Sequence, residues 1–266
     1  MKNDSGMKLL LAVSLIASIG AGCVRTGSPE KAASLPRRLA PAATTAPEAG
    51  PAATGTPEEG RPIYLTFDAD MTPGMLKRLR SGRVASWYDP SIIETLDAER
   101  VPATIFVTGL FAEAYPELIG KLASEGSYAF GNHSYDHAGF ESPCYGLPTV
   151  STDAAKLEEI SKTQRILEGL TGRAPTLFRY PGLCRSAHDD ALVASAGLRI
   201  DDGSVFSGDA FNRNPDAIAR SVMSAARPGG VILMHLGGPN APATGAALKV
   251  LIPKLRKHGY RFELLR

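Results

Sequence analysis

Short apolar runs alternate along this chain with longer amphipathic stretches. Ile63–Phe67, Ala103–Val107 and Val231–His235 are rich in β-branched and aromatic residues, and each predicts a strand. Asp89-Pro90-Ser91 opens a helix through Ile92, Ile93 and Leu96, with an acidic cap followed by proline. Ser151 or Thr152 caps a longer helix on which Leu157, Ile160, Leu167 and Leu170 share one face, and Gly172 ends it. Asp189–Ala196 and Pro215–Ala226 also predict helices. Leu248–His258 is the last amphipathic segment, before a closing strand at Arg261–Leu265. Strands alternating with helices imply an α/β protein with a parallel sheet, and over some 200 residues the natural closure is a barrel. No internal repeat is visible. In such barrels chemistry collects at the C-terminal strand ends, where Asp68, Asp70 and His235 fall.

The start of the chain follows another pattern. Met7-Lys8 and the apolar run Leu9–Ile19 have the charge and length of a signal peptide, too short to span a bilayer comfortably. The run ends in Gly20-Ala21-Gly22-Cys23, which leaves two readings for residues 1–23: a lipobox that lipidates Cys23, or an ordinary secretory signal cut near Ala21. Residues 24–60 are rich in Pro, Ala, Thr, Gly and Glu and cannot bury enough apolar surface to offset ordering, so they read as a disordered linker. A single domain is expected over 61–266, exported as an envelope lipoprotein or secreted. Any membrane association would run only through the N-terminal lipid.

The chain has 266 residues and 44% hydrophobic content, enough for one sizeable core. Its 29 basic and 27 acidic residues leave a net charge of +2 with no long one-signed run. That balance argues against nucleic acid and suits a neutral sugar polymer; a monomer is expected.

Candidate chemistry lies in four polar blocks. In Gly131-Asn132-His133-Ser134-Tyr135-Asp136-His137, the two histidines four apart can share one side of a helical turn and grip a divalent metal. Tyr64-Leu65-Thr66-Phe67-Asp68-Ala69-Asp70 delivers two carboxylates at a strand end. Phe178-Arg179-Tyr180-Pro181-Gly182 combines a permanent cation with a tight turn, and Val231–Met234 leads into His235. Apart from Cys23, the cysteines are Cys144 and Cys184, each just beyond one of these blocks. In an oxidising compartment they predict a disulfide pinning two loops of the site, with free buried thiols as the other reading.

The order and wording of these blocks resemble the polysaccharide deacetylase family, the group with the NodB homology domain (carbohydrate esterase family 4). The resemblance implies a distorted (β/α)7-type barrel and a metal-dependent deacetylase that removes N- or O-acetyl groups from a cell-envelope or extracellular polysaccharide. Peptidoglycan or a chitin-like polymer is favoured as substrate. It implies a divalent metal, zinc first and cobalt or nickel next, on His133 and His137.

The family usually reads Thr-Phe-Asp-Asp-Gly, with the first Asp a catalytic base and the second a ligand. This chain holds Asp68 at the base position but Ala69 at the ligand position. Asp70, one residue late, shares a face with Asp68 on an extended segment and would be the third ligand from a locally rearranged loop; the other reading is a two-histidine site. By the same resemblance Arg179 orients Asp68 and favours its charged form, the Tyr180 N–H donates to the oxyanion, and Pro181 shapes the turn. His235 is the catalytic acid, and Leu233 lines a pocket for the acetyl methyl. The family's acid–Trp block is reduced to Ser207-Gly208-Asp209-Ala210, in which Asp209 either orients His235 or pairs with Arg179. With that Trp missing, Trp87, in the extended segment from Met71 to Asp89, is the candidate sugar platform. A metal-independent amide hydrolase on the same fold and an inactive sugar-binding lipoprotein remain the alternatives.

Overall fold

The computed structural model describes residues 60–266. The signal segment 1–23 with Cys23, and the linker up to residue 59, lie outside the described residues.

Among the described residues eight strands, all parallel, form the sheet: β1 (Arg61–Ala69), β2 (Ala103–Val107), β3 (Tyr128–Asn132), β4 (Leu177–Phe178), β5 (Arg199–Ile200), β6 (Val205–Phe206), β7 (Gly230–His235) and β8 (Tyr260–Glu263). Their order is β5-β4-β3-β2-β1-β7-β6, with β8 paired to the first half of β1. The sheet is an incomplete (β/α)7-type barrel with β5 and β6 as its end strands.

Around it lie α1 (Pro73–Arg80), α2 (Pro90–Ala98), α3 (Gly109–Ala114), α4 (Pro116–Ser124), α5 (Asp153–Thr171), α6 (Ala187–Ser195), α7 (Pro215–Ala225) and α8 (Thr244–Lys257). Six of these helices start at side-chain caps. Thr72, Asp89, Thr108, Thr152 and Asn214 each accept a hydrogen bond from a first-turn N–H, and Ser186 and Asp189 form a capping box on α6. Proline at the first position, where no N–H is needed, opens α1, α2, α4 and α7. Gly172 ends α5 in the left-handed conformation. Helix α1 falls inside the long Met71 to Asp89 segment, which from sequence reads as a loop. Its charged surface (Lys77, Arg78, Arg80) and single buried Met75 make it polar overall, although Met75, Leu76 and Leu79 keep a helical period.

Strand alternation divides the barrel. Ile63, Leu65 and Phe67 of β1, Ile105 and Val107 of β2, and Ile232 and Met234 of β7 pack outward into the main core with Ile92, Leu96, Phe111, Leu248 and Leu251 of the helices. The intervening residues, including Thr66, Asp68 and His235, take the other face. A second cluster of Phe140, Ile160, Phe178, Tyr180, Val193 and Leu198 packs around β4. Because the strands are parallel, the C-terminal ends of β1 to β7 share one rim.

Candidate active site

Consecutive strand ends supply this rim. Asp68 and His235 lie directly paired at the ends of β1 and β7, His133 follows β3, Arg179 follows β4, Asp201 follows β5, and Asp209 lies just past β6.

Alternation continues beyond the end of β1. Phe67, Ala69 and Met71 are all core residues, while Asp68 and Asp70 point to the site. No local rearrangement is needed to bring Asp70 in, contrary to the sequence expectation, because residues two apart on extended backbone share a face. Asp70 Oδ1 lies 3.5 Å from His133 Nε2 and 3.4 Å from His137 Nε2. Asp68 Oδ2 is 3.8 Å from His133 Nε2, and Asp70 Oδ2 accepts from Asn240 Nδ2 at 3.3 Å.

The histidine pair is not on a helical turn. It sits on the loop after β3, where Ser134 and His137 have φ of 64° and 63°. Side chains hold this loop in place of helical hydrogen bonds. Asn132 Oδ1 accepts from the Ser134 N–H, its Nδ2 donates to the Ile160 carbonyl, and Glu159 Oε2 accepts from the Tyr135 and Asp136 N–H groups at 2.8 and 3.0 Å. Gly131 has a steric role, since a Cβ there would stand 2.4 Å from the Phe106 ring. That ring in turn lies 3.8 Å under the Arg179 guanidinium.

Asp70, His133 and His137 fit a divalent cation. Their ligand atoms lie within 4.8 Å of one another. Asp70 Oδ1 is buried without a hydrogen-bond partner, which is costly for a carboxylate oxygen unless a cation meets it. His133 Nδ1–H donates to the Arg179 carbonyl at 2.8 Å, which fixes the tautomer and turns the Nε2 lone pair toward Asp70. One carboxylate and two imidazoles suit zinc and its first-row neighbours. Electrostatics agree. Burial pushes the Asp70 carboxyl upward, but the His137, His133 and His235 imidazoles outweigh it and hold its pKa well below the usual carboxylate range. Burial lowers His133, yet the adjoining Asp68 and Asp70 carboxylates raise it overall. The cluster attracts positive charge.

Two walls flank it. On one, Arg179 Nη1 donates to Asp68 Oδ1 at 2.7 Å, while Nε and Nη2 donate to the Asp201 carbonyl and carboxylate at 2.9 and 3.2 Å. On the other, Asp209 Oδ1 accepts from His235 Nδ1 at 2.8 Å, and its Oδ2 accepts from the His235 N–H and from Thr244 Oγ1. Burial opposes protonation of His235, but the Asp209 hydrogen bond, with the Asp70, Asp209 and Asp68 charges, pushes its pKa up to about 10. Burial raises Asp209, and the same His235 bond outweighs it and lowers it. The sequence left Asp209 between two partners; it holds His235, and Asp201 takes Arg179. Asp201 was missed because two-residue β5 is too short to flag a strand end, although the Asp201-Asp202 pair after Ile200 was a visible signal.

Tyr180 and Pro181 are buried beside the site. The Tyr180 ring packs on Phe140 and Phe178, so only its main chain can serve a substrate. Leu233 lies two residues before His235 on the same face of β7. Cys144 and Cys184 are joined by a disulfide that ties the loop beyond His137 to the Pro181–Leu183 turn. Trp87 requires correction as a sugar platform. It is 5% exposed, its Nε1–H donates to the Met75 carbonyl at 2.9 Å, and Arg78 covers its ring. It packs in the core because α1 lies over it.

The family model described as "Polysaccharide deacetylase" matches residues 55–200. A peptidoglycan-N-acetylglucosamine deacetylase of Bacillus cereus is 31% identical over 179 residues, 67% of this chain and 62% of that protein. The chain thus spans less than two thirds of that relative's length. A chitooligosaccharide deacetylase of Bradyrhizobium sp. is 30% identical over 219 residues, 77% of this chain and 89% of its own. Among solved structures, peptidoglycan deacetylase PdaC from Bacillus subtilis superposes with a TM-score of 0.60 at 27% identity, covering 79% of this chain and 90% of that one. With the Gly-Asn-His loop, the strand-end Asp68 and the β7 histidine on one rim, these matches lead to one conclusion: the chain belongs to the polysaccharide deacetylase family.

Proposed function

We propose that this protein hydrolyses acetyl groups from a cell-envelope polysaccharide, in a reaction that depends on a divalent metal, zinc first. The observation that carries the reading is the meeting of Asp70 Oδ1, His133 Nε2 and His137 Nε2 between the Asp68–Arg179 and His235–Asp209 walls. Relatives named for peptidoglycan and chitooligosaccharide favour an N-acetylated amino sugar. The leader 1–23 and linker 24–60 support export, anchored through Cys23 or secreted.

Asp70, His133 and His137 would hold the metal. A divalent cation held there would supply Lewis acidity toward the acetyl carbonyl and a bound water. Asp68 accepts the proton of the attacking water at Oδ2, since Arg179 occupies Oδ1. Arg179 is a positioning residue, held from three sides and unable to give up its charge. The Tyr180 N–H is the oxyanion donor, a contact worth about 3 kcal/mol in comparable sites. His235, kept protonated by Asp209, donates from Nε2 to the leaving amine or hydroxyl. Acetate and the free sugar group result.

The test is acetate release from N-acetylglucosamine oligomers, peptidoglycan and acetyl-xylan, with zinc supplied and then removed by chelator, alongside the metal content of Asp70→Ala. Acetate abolished by chelator, with at least tenfold weaker metal retention in the variant, is expected. Acetate release that ignores the chelator would sink the metal reading in favour of a metal-independent hydrolase. No acetate from any substrate, with full metal retention, would sink the hydrolytic one.

A further inference from the structure

Among the described residues the exposed large hydrophobic side chains are Tyr145, Phe206 and Phe211. Two of these meet. Tyr145 and Phe211 are 80% and 86% exposed, and their rings lie 6.4 Å apart at 44°. They reach each other from opposite walls of the site. Tyr145 follows disulfide-bonded Cys144 on the loop beyond His137, and Phe211 lies two residues past Asp209, which holds His235.

Tyr145 is also held at a cost. Its φ is 48°, in the left-handed region that a bulky residue avoids. The disulfide anchors its neighbour to Cys184, and its Cδ2 lies 3.3 Å from the point where a Cβ on Gly182 would stand. The ring therefore rests against the Pro181–Leu183 turn beside the Tyr180 main chain. Burial does not account for either ring, and exposed apolar side chains gathered into one patch beside a candidate site are the kind that serve binding.

We infer that Tyr145 and Phe211 form a stacking platform for a pyranose ring of the polysaccharide, next to the unit whose acetyl group is removed. The inference rests on the deacetylase reading for where the reacting unit sits. One face of a pyranose is a patch of weakly positive C–H groups, which matches the negative face of an aromatic ring. Two tilted rings offer such faces with little directional demand, so successive units of a chain can occupy them. The pair is far below the ~800 Å² per partner of a stable protein interface, and it is continuous with the catalytic rim.

The test compares wild type, Tyr145→Ala, Phe211→Ala, the double variant, Tyr145→Phe and the control Phe206→Ala. The first readout is kcat/KM on N-acetylglucosamine oligomers from dimer to hexamer; the second is co-sedimentation with insoluble peptidoglycan and chitin. The platform predicts that wild type prefers the hexamer and that the double variant loses about tenfold of that preference through KM. Tyr145→Phe keeps it because the ring, not the hydroxyl, is used, and Phe206→Ala is unchanged. An undiminished length preference in the double variant overturns the inference. If wild type releases no acetate but sediments in a manner that needs Tyr145 and Phe211, the platform stands and the hydrolytic reading falls. Neither acetate release nor sedimentation overturns the platform as well.

Discussion

The two walls of the site contain the same elementary unit, a buried carboxylate bonded to a cation, and use it in opposite ways. In Asp68–Arg179 the cation is permanent. Arg179 is fully buried, bonded to Asp68 and twice to Asp201, and stacked on Phe106, so it can orient its partner but not lose a proton. In Asp209–His235 the roles reverse. Asp209 is saturated by Ser207, Thr244 and both nitrogens of His235 that face it, while His235 keeps Nε2 free toward Asp70 and a neutral form within reach. One wall is built to accept a proton and the other to release one. What separates them is the partner: a guanidinium that cannot titrate or an imidazole that can.

Removing the acceptor tests this contrast most severely. Asp68→Asn should lower kcat by roughly 100- to 10,000-fold, with metal content preserved. Measured beside it, His235→Ala should lose least where the leaving group needs no proton, as with an activated aryl ester. Equal losses for the two variants on amide and activated ester would erase the difference between the walls.

A smaller effect should follow from weakening the second wall without removing its imidazole. The His235 pKa is raised to about 10, so the proton it donates is present below that value and lost as pH rises through it. Asp209→Asn takes away the largest raising contribution, so the alkaline limb of kcat should move to lower pH. The acid limb should stay where it is. A pH profile with the alkaline limb unmoved would separate His235 from the proton donor. At neutral pH the accompanying drop in kcat should be about tenfold.

The disulfide should matter least to turnover and most to stability. Cys144→Ser with Cys184→Ser frees a loop whose ends are 40 residues apart in sequence, and about 2–4 kcal/mol of stability should go with it. Thermal unfolding would show the loss. An unshifted melting temperature, with kcat collapsed, would instead give the bond a catalytic task.

Strong periodicity made β1, β2, β7, α2, α5 and α7 legible, since each carries several apolar residues in register with the core. The two-residue strands β4, β5 and β6 were not, because too few positions alternate to form a pattern. The motif residues were legible by type and order, and the surrounding contacts were not. Trp87 shows why: its exposure depends on α1 packing over it, and nothing adjacent in sequence reports that.

The sequence by itself determined the family, the parallel α/β architecture and the set of acids, imidazoles and guanidinium available for catalysis, because these follow from local alternation and from motifs read in order. Only the tertiary structure decided who meets whom. It brought Asp70 to the two histidines despite Ala69, assigned Asp209 to His235 and Asp201 to Arg179, and set Tyr145 beside Phe211. Those partners are far apart along the chain and come together on different strand ends and loops, so only the register and closure of the sheet specify their distances.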